Sequence, residues 1–328
     1  MEKTSSTPTH TSTQSPAGTP TASASSETKT RKPPRSDRPD RSEMWLAIIL
    51  LAPNLVLLAI FTYRPLIDNF RLSFTNWNIS SDSFDWIGFN NYVEWFRSPT
   101  TWQIVSNTVI FTLAAVLGSL ALGLFLALIL DQKLRGRGFV RSVVFAPYII
   151  SGAAIGIAFQ FVFDPAVGLI SDIMVRLGYT APDFYQRPGW ALLMITTTYI
   201  WKNLGYTFVI YLAALQGRRT DLDEAAEIDG TPGWRRFTKV LLPQLRPTTF
   251  FLSITVLLNS MQVFDIINVM TRGGPQGTGT TTMVYQVYQE TFVNARAGYG
   301  ATVASILFLI LLVITLIQVR FMQKGERP

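Results

Sequence analysis

Residues 221–247 read DLDEAAEIDGTPGWRRFTKVLLPQLRP. This charged, proline-punctuated stretch lies between two long apolar runs, and its role depends on what those runs are. The flanking runs, about 190–213 and 248–270, are each long enough to cross roughly 30 Å of hydrocarbon. Four more, about 44–63, 103–130, 142–163 and 300–321, have the same character, although Pro147 and Gly152 interrupt the third. Charged residues make up 15% of the chain and mean hydropathy is positive, whereas a soluble domain carries roughly 25% charge. Clustered apolar runs of this length predict an all-α integral membrane protein with six transmembrane helices.

Lysine and arginine set the orientation. They crowd the segment before the first run, the second loop (Lys133, Arg135, Arg137, Arg141), the fourth loop (Arg218, Arg219, Arg235, Arg236, Lys239, Arg246) and the C-terminus. The other three loops are poorer in both. Both termini and residues 221–247 are therefore expected on the cytoplasmic side, and the net charge of +7 reflects topology, not nucleic-acid binding. Three regions follow: a disordered, basic, Ser/Thr/Pro-rich tail over 1–42, a six-span domain over 43–322 with a polar loop over 218–247, and a short cytoplasmic end over 323–328.

Some chemistries are excluded. The chain has no cysteine, and its single histidine, His10, lies in the tail, so thiolate and imidazole catalysis and His/Cys metal sites are absent from the core. No G-x-x-x-x-G-K-[ST] phosphate loop occurs. The first outer loop, about 64–102, contains Trp77, Trp86, Trp95 and Trp102, which fit either an interfacial belt or a docking surface. The last outer loop, TRGGPQGTGTTTMVYQVYQETF, is too long to be a mere connector.

Within 221–247, Asp221 with Glu224 three residues on fits a capping box. Gly230 fits the left-handed C′ position of a short helix. Thr231 and Pro232 then read as N-cap and N1 of a second helix that stops before Pro243. A helix of two turns is marginal alone, so either a partner packs on it or it is a solvated linker. Ala225 and Ala226 would allow close approach, and Glu224, Glu227 and Asp229 would meet a partner's cations.

Two charges lie inside predicted spans, Lys202 in the fourth and Asp265 in the fifth. A mid-membrane ion costs about 2.5–3.5 kcal/mol on insertion scales and needs a partner or a cavity. Asn203 and Tyr206 accompany Lys202, while Asn259 and Gln262 precede Asp265 at three-residue steps along one helical sector. Gln160 is a further polar residue in the third span. These residues either line a polar path, where amides and carboxylates bind hydroxyls and Lys202 binds an acid group, or lock helices together.

EAAEIDGTPGWRRFTKVLLP, Glu224 to Pro243, resembles the conserved cytoplasmic loop of binding-protein-dependent ABC importer permeases, with Val240 standing where isoleucine is usual. FDPAVGLIS, YIWKNLGYTFVIYLAALQ and the last outer loop extend the resemblance from about 44 to 322, most closely to glycerol-3-phosphate and maltose-type sugar permeases. The resemblance implies that the helix beginning at Asp221 couples to a separate ATPase through Glu224, Ala225, Ala226, Asp229, Gly230, Arg235 and Pro243. ATP and Mg2+ would reside on that ATPase, with no cofactor on this chain. A second, related permease chain and an extracytoplasmic binding protein are also implied, in a bacterial inner membrane. The solute would be a sugar, glycerol-3-phosphate or a glycerophosphodiester. The rival reading is a self-sufficient secondary transporter, for which the 221–247 loop has no use and which often shows inverted repeats, none of which is evident here.

Overall fold

The computed structural model describes residues 41–131 and 137–325, all of them helix or connecting turn apart from a single Thr75–Trp86 bridge. Residues 1–40, and with them almost all of the expected tail and His10, lie outside the described residues, as do Lys133, Arg135 and residues 326–328. The helices are α1 (Arg41–Leu58), α2 (Arg64–Leu72), α3 (Asn90–Arg97), α4 (Pro99–Leu130), α5 (Arg137–Ile149), α6 (Gly152–Val162), α7 (Leu169–Arg176) and α8 (Pro188–Gln216). After these come α9 (Thr220–Ile228), α10 (Gly233–Arg236), α11 (Leu242–Gln244), α12 (Arg246–Met261), α13 (Asp265–Met270), α14 (Met283–Tyr288) and α15 (Ala297–Gly325). Wider π turns occupy Ala59–Tyr63, Phe237–Leu241 and Gln289–Val293.

The chain divides at Leu57/Leu58 into a short N-terminal unit and the remainder. In the first unit, α1 begins at Arg41, inside the segment expected to be tail, and from Trp45 onward carries apolar residues on all sides, with Asn54 the one polar residue. That pattern suits a hydrocarbon surround.

Among the described residues, Ile48–Leu72, Pro99–Leu130, Arg246–Met270 and Ala297–Phe321 are long and apolar enough to cross a membrane. Two departures from simple spans matter. The third expected span is two helices, α5 and α6, bent by 101° around Ile150 and Ser151. Ser151 is extended and caps α6 by accepting from the Ala154 N–H, so the break carries its own hydrogen bond. The fourth, α8, is 29 residues long but less apolar, because Thr196, Thr197, Thr198, Lys202 and Asn203 interrupt it. Thr196, Thr198 and Asn203 bond back to carbonyls one turn earlier, which satisfies them without water.

Helix α4 explains how the second unit packs. Its buried face carries Ala115, Ser119, Gly123 and Ala127 at four-residue steps, and its exposed face carries Leu113, Leu117, Leu122 and Phe125. Large apolar residues outside and small ones inside are the reverse of a soluble helix. In hydrocarbon, close backbone approach and cross-helix hydrogen bonds drive association. A side chain at Gly123 would collide with Thr207, whose hydroxyl donates to the Ser119 carbonyl across the contact. Towards one end of this α4–α8 pair lies a core of Leu130, Phe208, Tyr211, Leu215 and Leu252. Towards the other, Phe111, Ile195, Tyr199, Ile267 and Tyr285 gather α6, α13 and α14 around it.

The loops expected on the outer side are built, not slack. Trp95 is buried and donates its indole N–H to Gln286 Oε1 at 3.2 Å. Trp86 and Trp102 are exposed, so the four tryptophans do not act as one belt. Asn107 on α4 donates to the carbonyls of Thr278 and Thr281, which pins the Gly/Thr-rich turn after α13.

Helix α5 lies against α8 at Gly205, where an added Cβ would stand 2.6 Å from the Val144 carbonyl oxygen and 2.8 Å from Phe145 Cα. Neither can yield as a flexible side chain would. Gly205→Val is therefore expected to destabilise the protein by about 1–3 kcal/mol, seen as a lower temperature at which detergent-solubilised protein stays monodisperse. Gly189→Ala, with nothing within 4 Å, is the control and should leave that temperature unchanged. Equal behaviour of the two would contradict this packing.

Candidate functional site

Two helix breaks meet beside α8. One is the α5–α6 break at Ile150 and Ser151. The other separates α12 from α13 at Gln262, Val263 and Phe264. They are so close that a Cβ on Gly152 would lie 3.0 Å from Asp265 Oδ2. Between them and α8 opens a cavity of about 400 Å3 lined by Tyr148, Gly152, Tyr199, Lys202, Asn203, Asn259, Gln262, Val263, Phe264, Asp265 and Ile266.

Five of the seven sequence-predicted path residues share this cavity: Lys202, Asn203, Asn259, Gln262 and Asp265. The reason differs from the expected continuous sector of one helix. Gln262 is the C-cap of α12, and Asp265 opens α13, so the break and not helical periodicity brings them together. Lys202 and Asp265 form no ion pair within 4 Å. Lys202 Nζ instead donates to the Tyr148 carbonyl at 3.3 Å and lies 5.3 Å from the Tyr148 ring centre.

The other two residues do not line the cavity. Gln160 donates through Nε2 to the Val269 carbonyl at 2.7 Å, a tie between α6 and α13. Tyr206 stacks on Tyr148 and bonds Thr255 Oγ1, one layer behind the wall. Sequence reasoning missed Tyr148, Tyr199 and Phe264, because aromatic residues abound throughout the apolar runs. Tyr199 is 4% exposed, and among the described residues its hydroxyl has no hydrogen-bond partner. An unmet buried hydroxyl costs about 1–3 kcal/mol.

The 218–247 loop directly joins α8, which supplies Lys202 and Asn203, to α12, which supplies Asn259 and Gln262. Its details depart from expectation at the helix ends. Thr220 starts α9 after Arg219, and Asp221, inside the first turn, pairs with Arg219 at 2.7 Å instead of capping. The hydrogen bond from Arg219 holds the Asp221 carboxyl below the usual carboxylate range. Gly230 does end α9, at φ +68°, with Gly230 N–H bonding Glu227 O and Thr231 N–H bonding Ala226 O. Pro232 is itself the N-cap of α10, one residue later than the expected cap. Pro243 does not stop the chain: the π turn at Phe237–Leu241 leads into α11, where Pro243 sits in the first turn and needs no N–H donor.

No residue of α9 is buried. Glu224 and Ala225 are exposed and Ala226 is half-buried, while Ile228 is 87% and Trp234 74% exposed. Glu227 pairs with Arg236 at 2.7 Å and closes the loop on itself; Arg235 and Asp229 remain exposed. This short helix thus presents both acids and large apolar side chains to its surroundings.

Residues 119–326 match the family described as binding-protein-dependent transport system inner membrane component. The chain belongs to that family. It is 33% identical over 288 residues to a sulfoquinovosyl glycerol transport system permease protein of Agrobacterium fabrum, covering 88% of this chain and 93% of that one. It is 32% identical over 291 residues to an sn-glycerol-3-phosphate transport system permease protein of Yersinia pseudotuberculosis, covering 88% and 98%. A solved bacterial ABC transporter involved in import of the acidic polysaccharide alginate shares the fold, with a TM-score of 0.75 at 23% identity over 87% of this chain and 98% of its own. As a member of this family the chain is a multi-pass permease component of an ABC transporter.

The cavity can be checked in a chain that has no native cysteine. Single cysteines replacing Asn259 or Gln262 should react several-fold faster with a charged, water-soluble thiol reagent in native membranes than cysteines replacing Gln160 or Tyr206. Equal rates at all four positions would contradict the assigned lining.

Proposed function

We propose that this chain is one of two permease halves of an ATP-driven importer for a small polyhydroxylated solute. A sugar, glycerol-3-phosphate or a glycerophosphodiester fits, handed over by an extracytoplasmic binding protein. The carrying observation is the connection just described, in which one exposed loop links the two helices that supply opposite walls of the cavity. Movement of that loop by a docked ATPase would shift α8 against α12 and so change the cavity. The solute undergoes no covalent chemistry here. ATP and Mg2+ are held by the partner ATPase, and a second permease chain completes the path. The lysine and arginine distribution supports cytoplasmic termini and a cytoplasmic loop.

The cavity suits such a solute. Asn259, Gln262 and Asp265 offer acceptors and donors for hydroxyls, and Phe264 and Tyr148 offer flat apolar faces. Lys202, with no carboxylate within 4 Å among the described residues, suits an acid group. Two relatives are named for glycerol-3-phosphate and sulfoquinovosyl glycerol, both acidic and hydroxylated, which favours the phosphate-bearing solutes over a neutral sugar.

Glu224→Lys should leave the chain inserted in the membrane but remove the co-purifying ATPase or abolish uptake; unchanged uptake would sink the docking assignment. Asp265→Ala should reduce ATP-driven uptake by about tenfold or more in an intact complex, the effect of losing one or two hydrogen bonds to a charged acceptor. Loss of folded protein without a selective transport defect would make Asp265 a structural lock. Uptake of labelled sn-glycerol-3-phosphate and maltose by proteoliposomes containing the assembled complex tests the solute class. Lys202→Met should diminish the former more than the latter, and the opposite order would reject a phosphate role for Lys202.

A further inference from the structure

At the junction of α8 and α9, Arg218 is held by two carboxylates at once. Its Nη1 donates to Asp131 Oδ2 at 2.8 Å, and its Nε donates to Asp223 Oδ2 at 3.0 Å. The side chains are only 23%, 21% and 26% exposed in the order Arg218, Asp131 and Asp223, so this is a half-buried network and not a pair of surface contacts. It joins three helix ends: Asp131 is the C-cap of α4, Arg218 follows Gly217, the C-cap of α8, and Asp223 is in the first turn of α9.

Helix dipoles account for two members of this triad and fail for the third. A cation at the C-termini of α4 and α8 is favourable, and so is an acid in the first turn of α9. Asp131 is at the wrong end: a carboxylate beside the last carbonyls of a 32-residue helix opposes that helix's dipole. Its presence is understandable if its task is to hold Arg218. The neighbouring contact points the same way, since the Arg219 backbone N–H donates to Gln244 Oε1 at 3.1 Å and ties the start of α9 to α11, just before α12.

We infer that Arg218 is a positioning residue that makes α9 a rigid extension of the α4–α8 pair, so that force applied to α9 reaches the Lys202–Asn203 wall of the cavity. Helices α4 and α8 already form a tightly closed pair through Gly123 and Thr207. Among the described residues, the other direct link from α9 to that pair is the backbone from Gln216 to Thr220, about which an unclamped α9 would pivot. This inference rests on the importer reading above and adds to it the path by which the loop's motion is delivered.

The test uses the full importer assembled with its own ATPase, partner permease and binding protein, with Gln262→Cys as a reporter in the cavity. The rate of reaction with a charged thiol reagent is compared in nucleotide-free and ATP–vanadate states. The Gln262→Cys parent should change rate by about fivefold or more, the lower end of ordinary coupling between sites. Arg218→Ala and Asp131→Asn should still co-purify the ATPase and hydrolyse ATP, yet lose most of that change. Arg218→Lys, which keeps the charge but cannot fork between two carboxylates, should fall between parent and alanine variant. A residue needed only for folding would lower assembly and response together and would not show this split. Should Arg218→Ala fail to assemble, Asp131→Asn decides, because it leaves the Arg218–Asp223 pair in place. A full response in Asp131→Asn or Arg218→Ala overturns the clamp while leaving the importer reading intact. Failure of the parent to co-purify an ATPase overturns both.

Discussion

A backbone inside hydrocarbon must satisfy its own hydrogen bonds, so a broken helix survives there only against protein or a water-filled cavity. This chain breaks two helices at one place. Ser151 reseals one break by capping α6, and the bonds from Gln262 N–H to Asn259 O and from Val263 N–H to Ser260 O close the other. Gly152 lets the two breaks approach to within reach of Asp265. The cavity, its polar lining and the placement of Asp265 all follow from that meeting.

Such breaks need a stiff support. The α4–α8 pair provides it through small residues on one face, cross-helix hydrogen bonds and threonines that bond within their own helix. Helix α8 can therefore carry Lys202 and Asn203 into the interior, where an isolated apolar span could not. The same pair ends in the Arg218 clamp and hands the chain to α9. In the proposed account, cavity and loop are two ends of one mechanical unit.

Much of this was legible in the sequence. The apolar runs gave the membrane class, and the polar residues within them pointed to five of the cavity residues. Gly230 was readable as a helix end because only a left-handed turn explains it there. What escaped was tertiary. Nothing local distinguishes Gln160, which ties α6 to α13, from Gln262, which lines the cavity. The 101° bend was visible only as Pro147 and Gly152, which a continuous kinked helix would also tolerate. The Asp221 capping box lost to a stronger local competitor, the Arg219 guanidinium, and a π turn with no simple sequence signature carries the chain into α11, whose first turn accommodates Pro243. Tyr199 and Arg218 stand out only when their surroundings are known.

The central claim is that α9 docks on a separate ATPase. A single cysteine replacing the exposed Ala225, the only thiol in the chain, should be cross-linked in native membranes and its partner identified by mass spectrometry. The account predicts capture of an ATP-hydrolysing subunit, at a yield that depends on nucleotide. Protein that stays active in uptake while Ala225→Cys captures no such subunit would contradict it and leave a self-sufficient transporter as the better description.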